Sequence, residues 1–157
     1  ASRWLFKCWP AARMAELIRQ LQSQGRQIVL TAAPDEKERE LIGNIKAQLT
    51  QAVVDLSGQL NLKELAALTE QAQLFIGMDS VPMHIAAAMQ TPTVALFGPS
   101  GDIEWGPWQV PHRIVTSNHP CRPCGKDGCG GSKRSECLDL IPVQQVMDAV
   151  HALEAEL

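Results

Sequence analysis

The sequence has no tyrosine and three phenylalanines, and it lacks the glycine-rich signatures of common nucleotide-binding folds. Neither a Gly-x-Gly-x-x-Gly run nor a Walker sequence is present, which disfavours a dinucleotide oxidoreductase and a P-loop NTPase. A surplus of positive charge is also missing, because 14 Lys and Arg stand against 17 Asp and Glu. Nucleic acid is therefore not expected as a partner.

Long apolar runs are equally absent. The first ten residues contain no apolar core of a signal peptide. The uncharged stretch Val81 to Gly101 is interrupted by Pro82, Pro92 and Pro99, which excludes one membrane-spanning helix. Five cysteines without a secretory segment favour a reducing compartment. The 157 residues, 45% of them hydrophobic, are enough for one compact domain.

What is present is a regular alternation of helical and strand patterns. The expected strands cover 27–31, 52–56, 74–76, 93–97 and 113–116. The expected helices cover 10–24, 35–49, 62–71, 80–89 and 143–156, with Asp35, Asn61 and Ser80 as N-caps. This order predicts a Rossmann-like, doubly wound parallel sheet covered by helices on both faces. Ligands of such sheets bind beyond the carboxyl ends of the strands.

The start of the sequence does not fit that order. A doubly wound domain normally begins with a strand, whereas Ala1, Ser2 and Arg3 form a polar segment that leads to a helix. We therefore expect the opening strand to lie outside the given sequence.

The most informative local pattern is Gly77-Met78-Asp79-Ser80-Val81-Pro82-Met83-His84, between a strand and a helix. Free N–H groups at that helix start create an anion site. Asp79 is placed to accept hydrogen bonds from sugar hydroxyls, and His84 to contact a phosphate or brace the loop. The alternative is that Asp79 and Ser80 merely cap the helix and that His84 is an interior histidine.

Candidate ligand-binding residues also occur in two other loops. Lys7 precedes the first helix, where a lysine can meet a phosphate, with Ser2 and Arg3 as further partners. Glu36 follows the first expected strand, and a carboxylate there can hold the hydroxyls of a ribose. The alternatives are a solvated lysine and an acidic residue that stabilises a helix dipole, and Asp35 competes with Glu36 for either role.

Two tryptophan pairs, Trp4 with Trp9 and Trp105 with Trp108, fall in loops near the same edge. They could wall a nucleotide base or contact a partner domain, but packing is the favoured explanation.

Four cysteines form a separate cluster, Cys121-x2-Cys124-x4-Cys129-x7-Cys137, interspersed with glycines. Four thiols within one short segment suit a structural zinc ion. Free thiols are the alternative, together with disulfides formed in air. A catalytic metal is not expected, because four thiolates would close the coordination shell.

Taken together, these motifs resemble the ADP-heptose–lipopolysaccharide heptosyltransferases, most closely the heptosyltransferase III-like members. The similar elements, which cover nearly the whole chain, are Ser2-Arg3-x3-Lys7-x-Trp9-Pro10, Ala32–Glu36, Leu56-Ser57-Gly58 with Asn61-Leu62-x-Glu64-Leu65, Gly77-x-Asp79-Ser80-x-Pro82-x-His84-x-Ala86-Ala87, and Thr91-Pro92 before Leu96-Phe97-Gly98.

The resemblance implies the C-terminal half of a GT-B glycosyltransferase. Residues 1–157 would form one nucleotide-sugar-binding domain with a cysteine-rich loop at 121–137. The absent N-terminal domain would supply the acceptor site, for the lipopolysaccharide core, and the catalytic acid or base. The reaction implied is transfer of heptose from ADP-heptose to the inner core, with inversion and without a required metal.

By the same resemblance, Lys7 contacts the diphosphate with help from Ser2, Glu36 holds the ribose, and Asp79 and Ser80 meet the donor sugar and phosphate. His84 supports the loop, and the backbone near 57–61 lies close to adenine. No convincing catalytic base occurs in this sequence, and the fragment alone is expected to be inactive. The implied location is cytoplasmic, with peripheral attachment at the inner face of the inner membrane left open.

Two other functions stay open at this point. One is a non-catalytic nucleotide-sugar-binding or metal-stabilised interaction module. The other is a GT-B-like epimerase that acts on a different nucleotide sugar.

Overall fold

A computed structural model describes residues 2–157, in which helices and strands alternate as the apolar pattern predicts. The strands are β1 (Val29–Leu30), β2 (Val54–Asp55), β3 (Phe75–Met78), β4 (Thr93–Leu96) and β5 (His112–Val115). The helices are α1 (Ala11–Ser23), α2 (Glu36–Lys46), α3 (Leu62–Glu70), α4 (Val81–Ala88), α5 (Asp102–Trp105), α6 (Glu136–Asp139) and α7 (Val143–Glu154). Short 3-10 helices cover Leu5–Lys7 and Cys129–Gly131.

All strand pairs are parallel, which confirms the predicted α/β class. The hydrogen-bonded ladder is divided, however, into a two-stranded sheet, β1-β2, and a three-stranded sheet, β3-β4-β5. Within residues 2–157, no ladder joins β1 to β3. The expected single sheet is therefore interrupted between these two strands.

The two faces of β4 contact different helices, because successive side chains of a strand point to opposite sides. Val94 and Leu96 belong to the main core with residues of α1 and α7. On the other face of β4, Ala95 packs with Met83 of α4 and with Phe97. All four residues of β4 are buried, as is typical of a central parallel strand.

Local sequence signals account for the starts of two helices. The Asp35 carboxylate accepts hydrogen bonds from the Lys37 and Glu38 amides, as expected of an N-cap. Asn61 and Glu64 form the predicted capping box before α3. The prediction for α4 was wrong in one respect: Ser80 occupies the N-cap position, but its hydroxyl makes no capping bond and donates instead to the Met78 carbonyl at 3.2 Å.

No helix within residues 2–157 combines the length and apolar character needed to cross a bilayer. The elements that the sequence pattern missed are short: α5, α6 and the two 3-10 helices have only three or four residues each. Helical periodicity is not detectable over so few residues.

The end of β2 carries an ion pair whose effect on stability depends on pH. Lys46 Nζ donates to Asp55 at 2.6 Å and the Ser57 amide donates to it at 3.0 Å, which together lower the pKa of Asp55 to about 2. The contribution is fully present above the unfolded-state pKa of about 3.9 and is lost as pH falls through about 2.

We therefore expect Asp55→Asn to lower the free energy of unfolding at pH 7 by less than about 1 kcal/mol, since the pair is partly solvated. The difference from the wild type should shrink as pH falls below about 4. Urea denaturation at pH 7, 5 and 3 measures it, and Lys46→Met should reproduce the pH 7 loss. A difference that grows at low pH would contradict the assignment.

Candidate functional site

An ion pair between distant segments lies at the carboxyl end of β3. Lys7 Nζ donates to Asp79 Oδ2 at 2.5 Å, although 72 positions separate the residues. The Lys7 side chain is 26% exposed and that of Asp79 8%. The 3-10 helix 5–7 presents the lysine, and the strand end presents the carboxylate. The structure thus brings together two of the predicted binding residues, and the lysine side chain stays partly exposed.

Ser80 and the first turn of α4 lie directly beside this pair. Met83 and His84 donate their amides to the Ser80 carbonyl, and Pro82 has no N–H group. The Val81 amide is the remaining first-turn donor, since helix geometry provides it with no intrahelical acceptor. An anion at this helix start would therefore meet few backbone donors.

Ser2 and Arg3 differ in exposure. Ser2 is buried, its hydroxyl accepts the Trp4 amide at 3.3 Å, and its carbonyl accepts the Cys8 thiol at 3.4 Å. Burial raises the pKa of Cys8, so this thiol stays protonated as a donor. Arg3 is exposed. The hydroxyl of Ser2 already has a local role, whereas the arginine is accessible to solvent.

Three acidic residues that follow β1 at the start of α2 have different roles. Asp35 caps α2, and Glu38 is buried and accepts the Ala33 amide at 3.1 Å. Glu36, at the first position of the helix, is exposed. Because Asp35 takes the capping role, Glu36 is the acidic residue of this loop that is accessible to a ligand.

The loops that follow β1 and β2 pack against each other. The Gly58 amide donates to the Ala32 carbonyl at 2.8 Å. Gly58 has a φ of +70°, and a Cβ added to it would lie 3.3 Å from the Pro34 backbone. A glycine is needed here both for the backbone conformation and for the close approach. The predicted ribose and adenine segments are therefore neighbours.

His84 lies in α4 and is exposed. This exposure excludes the alternative of an interior histidine. Contact with a phosphate and support of the loop both stay predictions for His84.

The cysteine segment does not form the expected zinc site. Across residues 2–157, no group of three or more His, Cys, Asp or Glu side chains is arranged to hold a metal ion. Cys121 is exposed and lies 3.1 Å from His119 Nδ1, whereas Cys137 is buried in the core. Burial raises the pKa of the Cys137 thiol. The thiols as arranged do not fit a tetrahedral metal site.

The same segment has a structural role that the sequence analysis missed. Arg122 Nε donates to the Gly98 carbonyl at 2.6 Å, and its Nη2 donates to Asp102 at 2.9 Å. The Cys124 and Gly125 amides also donate to one carbonyl of the loop after β4, that of Pro99. The residues between the cysteines thus anchor this loop at the ligand edge. The sequence feature that could have indicated this role is Arg122, a charged residue within the cysteine motif. The sequence analysis considered only the spacing of the cysteines.

We expect Arg122→Gln to lower the free energy of unfolding by about 1.5–3 kcal/mol, because its charged hydrogen bonds are lost and its side chain is only 9% exposed. Equilibrium urea denaturation measures the change. Arg134→Gln is a matched control in the same segment, since Arg134 is 73% exposed in its pair with Asp139, and should change stability by less than about 0.5 kcal/mol. Equal effects of the two variants would contradict the anchoring role.

Comparison with known proteins identifies the relatives of this chain. The model of glycosyltransferase family 9 (heptosyltransferase) matches residues 1–133. The chain is 40% identical to lipopolysaccharide heptosyltransferase 3 of Escherichia coli (strain K12), over 99% of this chain and 45% of that protein. It is 30% identical to lipopolysaccharide heptosyltransferase 2 of Salmonella typhimurium, over 96% of this chain and 43% of that protein.

Two solved structures are also similar. The family 9 glycosyl transferase from Veillonella parvula has a TM-score of 0.83 and 27% identity, over 100% of this chain and 44% of that one. The ADP-heptose LPS heptosyltransferase II of E. coli has a TM-score of 0.81 and 27% identity, over 99% of this chain and 45% of that one. The chain thus spans less than half the length of each of these relatives.

The parallel α/β fold is that of a GT-B glycosyltransferase domain. The chain belongs to glycosyltransferase family 9, the heptosyltransferase family.

Proposed function

We propose that this chain is the donor-binding domain of an inverting heptosyltransferase, which binds ADP-heptose for transfer to the lipopolysaccharide inner core. The observation that carries the proposal is the partly exposed Lys7 side chain, whose ammonium group pairs with the Asp79 carboxylate at the carboxyl end of β3. The Lys7 ammonium is a cation suited to a diphosphate, and the neighbouring Asp79 carboxylate is an acceptor suited to sugar hydroxyls. Membership of the heptosyltransferase family supports the same assignment.

Lys7 can serve both Asp79 and a diphosphate. An ammonium group has three donors, and one of them is directed to Asp79 Oδ2. The other two can reach phosphate oxygens without loss of the ion pair. Asp79 thereby holds the lysine in one position, and its second oxygen can accept from a hydroxyl of the donor sugar.

The other proposed contacts follow from the neighbouring loops. Exposed Glu36 accepts from the ribose hydroxyls, and the backbone near 57–61 contacts adenine. Ser80 meets the phosphate by turning its hydroxyl away from the Met78 carbonyl. Ser2 assists Lys7 at the diphosphate, Arg3 provides a second cation, and His84 contacts a phosphate or supports the loop. Among these three, Arg3 and His84 are exposed.

The chemical contribution of this domain is stabilisation of the leaving group. Breaking the bond between heptose and ADP builds negative charge on the diphosphate. Lys7 and the positive end of the α4 dipole lie where that charge develops, and preorganised charges of this kind lower the barrier. The acceptor hydroxyl also needs a general base. We propose that another domain supplies both that base and the acceptor site, and that the enzyme acts in the cytoplasm.

Titration of the intact protein with nucleotides tests this function. We expect ADP-heptose and ADP to bind, and UDP and UDP-glucose to bind at least tenfold more weakly, in isothermal titration calorimetry. A preference for UDP sugars would indicate the epimerase alternative and contradict the proposal. Absence of ADP binding by folded protein would contradict the donor site itself. Binding of ADP-heptose without heptose transfer to a heptose-deficient lipopolysaccharide would indicate a non-catalytic module and contradict the transferase function.

A further inference from the structure

The cysteine segment brings a thiol, an imidazole and a carboxylate together at the protein surface. Cys121 is exposed, and its Sγ lies 3.1 Å from His119 Nδ1. The other ring nitrogen of His119, Nε2, lies 3.5 Å from Glu136 Oε2. A nucleophile, a base and an acid that orients the base follow one another in this order, which is how side-chain nucleophiles are activated in enzymes. None of the three residues belongs to the proposed donor site.

The arrangement gives His119 the role of proton acceptor. Because Glu136 lies at Nε2, the neutral ring keeps its proton on that nitrogen and directs the lone pair of Nδ1 to the Cys121 thiol. Desolvation, a hydrogen bond with the Cys124 side chain and the charges of Cys124 and Cys129 raise the pKa of Cys121. The thiol therefore needs a base in contact with it in order to react as a nucleophile.

A second thiol is held close to the first. Cys124 follows Cys121 after two residues, which is the Cys-x-x-Cys spacing of thiol–disulfide sites. The backbone between them is anchored, because Arg122 Nε donates to the Gly98 carbonyl at 2.6 Å and the Cys124 amide donates to the Pro99 carbonyl at 3.1 Å. The anchored turn keeps the second thiol at a high effective concentration beside the first.

We propose that Cys121 and Cys124 form a redox-active dithiol, with His119 as its base, which exchanges with small disulfides such as glutathione disulfide. Cys121 Sγ attacks one sulfur of the small disulfide while His119 Nδ1 takes the thiol proton. The S–S bond of the small disulfide breaks, and the departing glutathione thiolate receives that proton.

The second step closes the protein disulfide. Cys124 Sγ attacks Cys121 Sγ, and the second glutathione leaves with the proton of the Cys124 thiol. The two protein thiols lose two electrons and two protons in total, and one glutathione disulfide becomes two glutathione molecules. In a reducing compartment such a disulfide is transient and serves redox sensing. The inference is independent of the proposed function, since it concerns thiol chemistry and not binding of the donor.

Peptide mapping of the intact protein tests the pairing. Reduced protein is exposed to an excess of glutathione disulfide, free thiols are blocked with iodoacetamide, and the tryptic peptides are analysed by mass spectrometry. Cys121 and Cys124 share the peptide 114–126, because trypsin does not cleave between Arg122 and Pro123. We expect this peptide to carry no alkyl group and to be two hydrogens lighter than its dithiol form. Excess glutathione should restore the dithiol.

The same map contains an outcome that would overturn the proposal. Cys129 lies in a separate peptide, 127–133. A disulfide from Cys129 to Cys121 or Cys124 would therefore link two peptides and show that the pairing is wrong. A peptide 114–126 that stays fully alkylated would show that the thiols do not exchange.

Matched substitutions test the role of each side chain. Cys124→Ser should stop the reaction at a mixed disulfide of glutathione with Cys121, whereas Cys129→Ser should leave the Cys121–Cys124 disulfide unchanged. His119→Gln should slow the loss of the Cys121 thiol at pH 7 by about tenfold or more. His151→Gln is the control for the histidine, because His151 is exposed on α7, and should react like the wild type.

Two results with these proteins would contradict the mechanism. Equal rates for His119→Gln and the wild type would overturn the role of the histidine as base. One equivalent of zinc in freshly purified, reduced wild type, measured by elemental analysis, would overturn the dithiol itself, because thiolates bound to a metal are not free to exchange. The wild-type peptide map and the zinc measurement do not depend on the folding of any variant.

Discussion

Replacement of Lys7 by methionine is expected to weaken ADP binding by about 5- to 150-fold, equivalent to about 1–3 kcal/mol. The ammonium group is the cation beside the proposed diphosphate site, and methionine keeps most of the apolar stem without the charge. Isothermal titration calorimetry of the intact protein with ADP measures the change. An unchanged affinity would show that Lys7 serves only its ion pair with Asp79.

Stability must be separated from binding in this variant. Loss of the lysine leaves the buried Asp79 carboxylate without its cation, which also lowers the free energy of unfolding. We expect the double variant Lys7→Met/Asp79→Asn to recover part of that stability but none of the ADP affinity. Lys46→Met is the matched control, because its partner Asp55 lies at the end of β2, and it should bind ADP like the wild type.

Replacement of Trp9 by alanine is expected to lower the free energy of unfolding by about 3–5 kcal/mol. Trp9 is 2% exposed, belongs to the main core, and donates its indole N–H to the Ile141 carbonyl at 3.1 Å. The variant loses this bond and leaves a large void between α1 and the segment before α7. Equilibrium urea denaturation measures the loss.

Trp108 provides the matched control for this experiment. It is 75% exposed, and Trp108→Ala should change the free energy of unfolding by less than about 0.5 kcal/mol. Similar effects of the two substitutions would contradict the packing role. The prediction that packing explains most of the four tryptophans was wrong, because only Trp9 is buried, whereas Trp4, Trp105 and Trp108 are exposed.

Features that depend on neighbouring residues were predictable from the sequence. The caps at Asp35 and Asn61 were correct because an N-cap bonds to amides two or three positions further along the chain. The alternation of helices and strands was correct because apolar periodicity is itself local. Ser80 is the exception, since its hydroxyl bonds to Met78 two positions earlier instead of capping α4.

Features that depend on distant residues were predictable only in part. Lys7 and Asp79 were each selected, but nothing in the sequence pairs residues 72 positions apart. The anchoring of the loop at Gly98 by Arg122 was missed for the same reason. The zinc prediction relied on spacing alone, and spacing did not reveal that Cys137 is buried while Cys121 is exposed.

The sequence by itself determined the α/β class, the family and the loops that carry the candidate site. Periodicity and caps depend on residues close together in the sequence, and motif order can be read directly from it. Only the tertiary structure decided which side chains of those loops meet, which are buried, and where the parallel sheet is interrupted. These properties arise when the carboxyl ends of separate strands are brought to one edge by packing. Packing joins residues that the sequence leaves far apart.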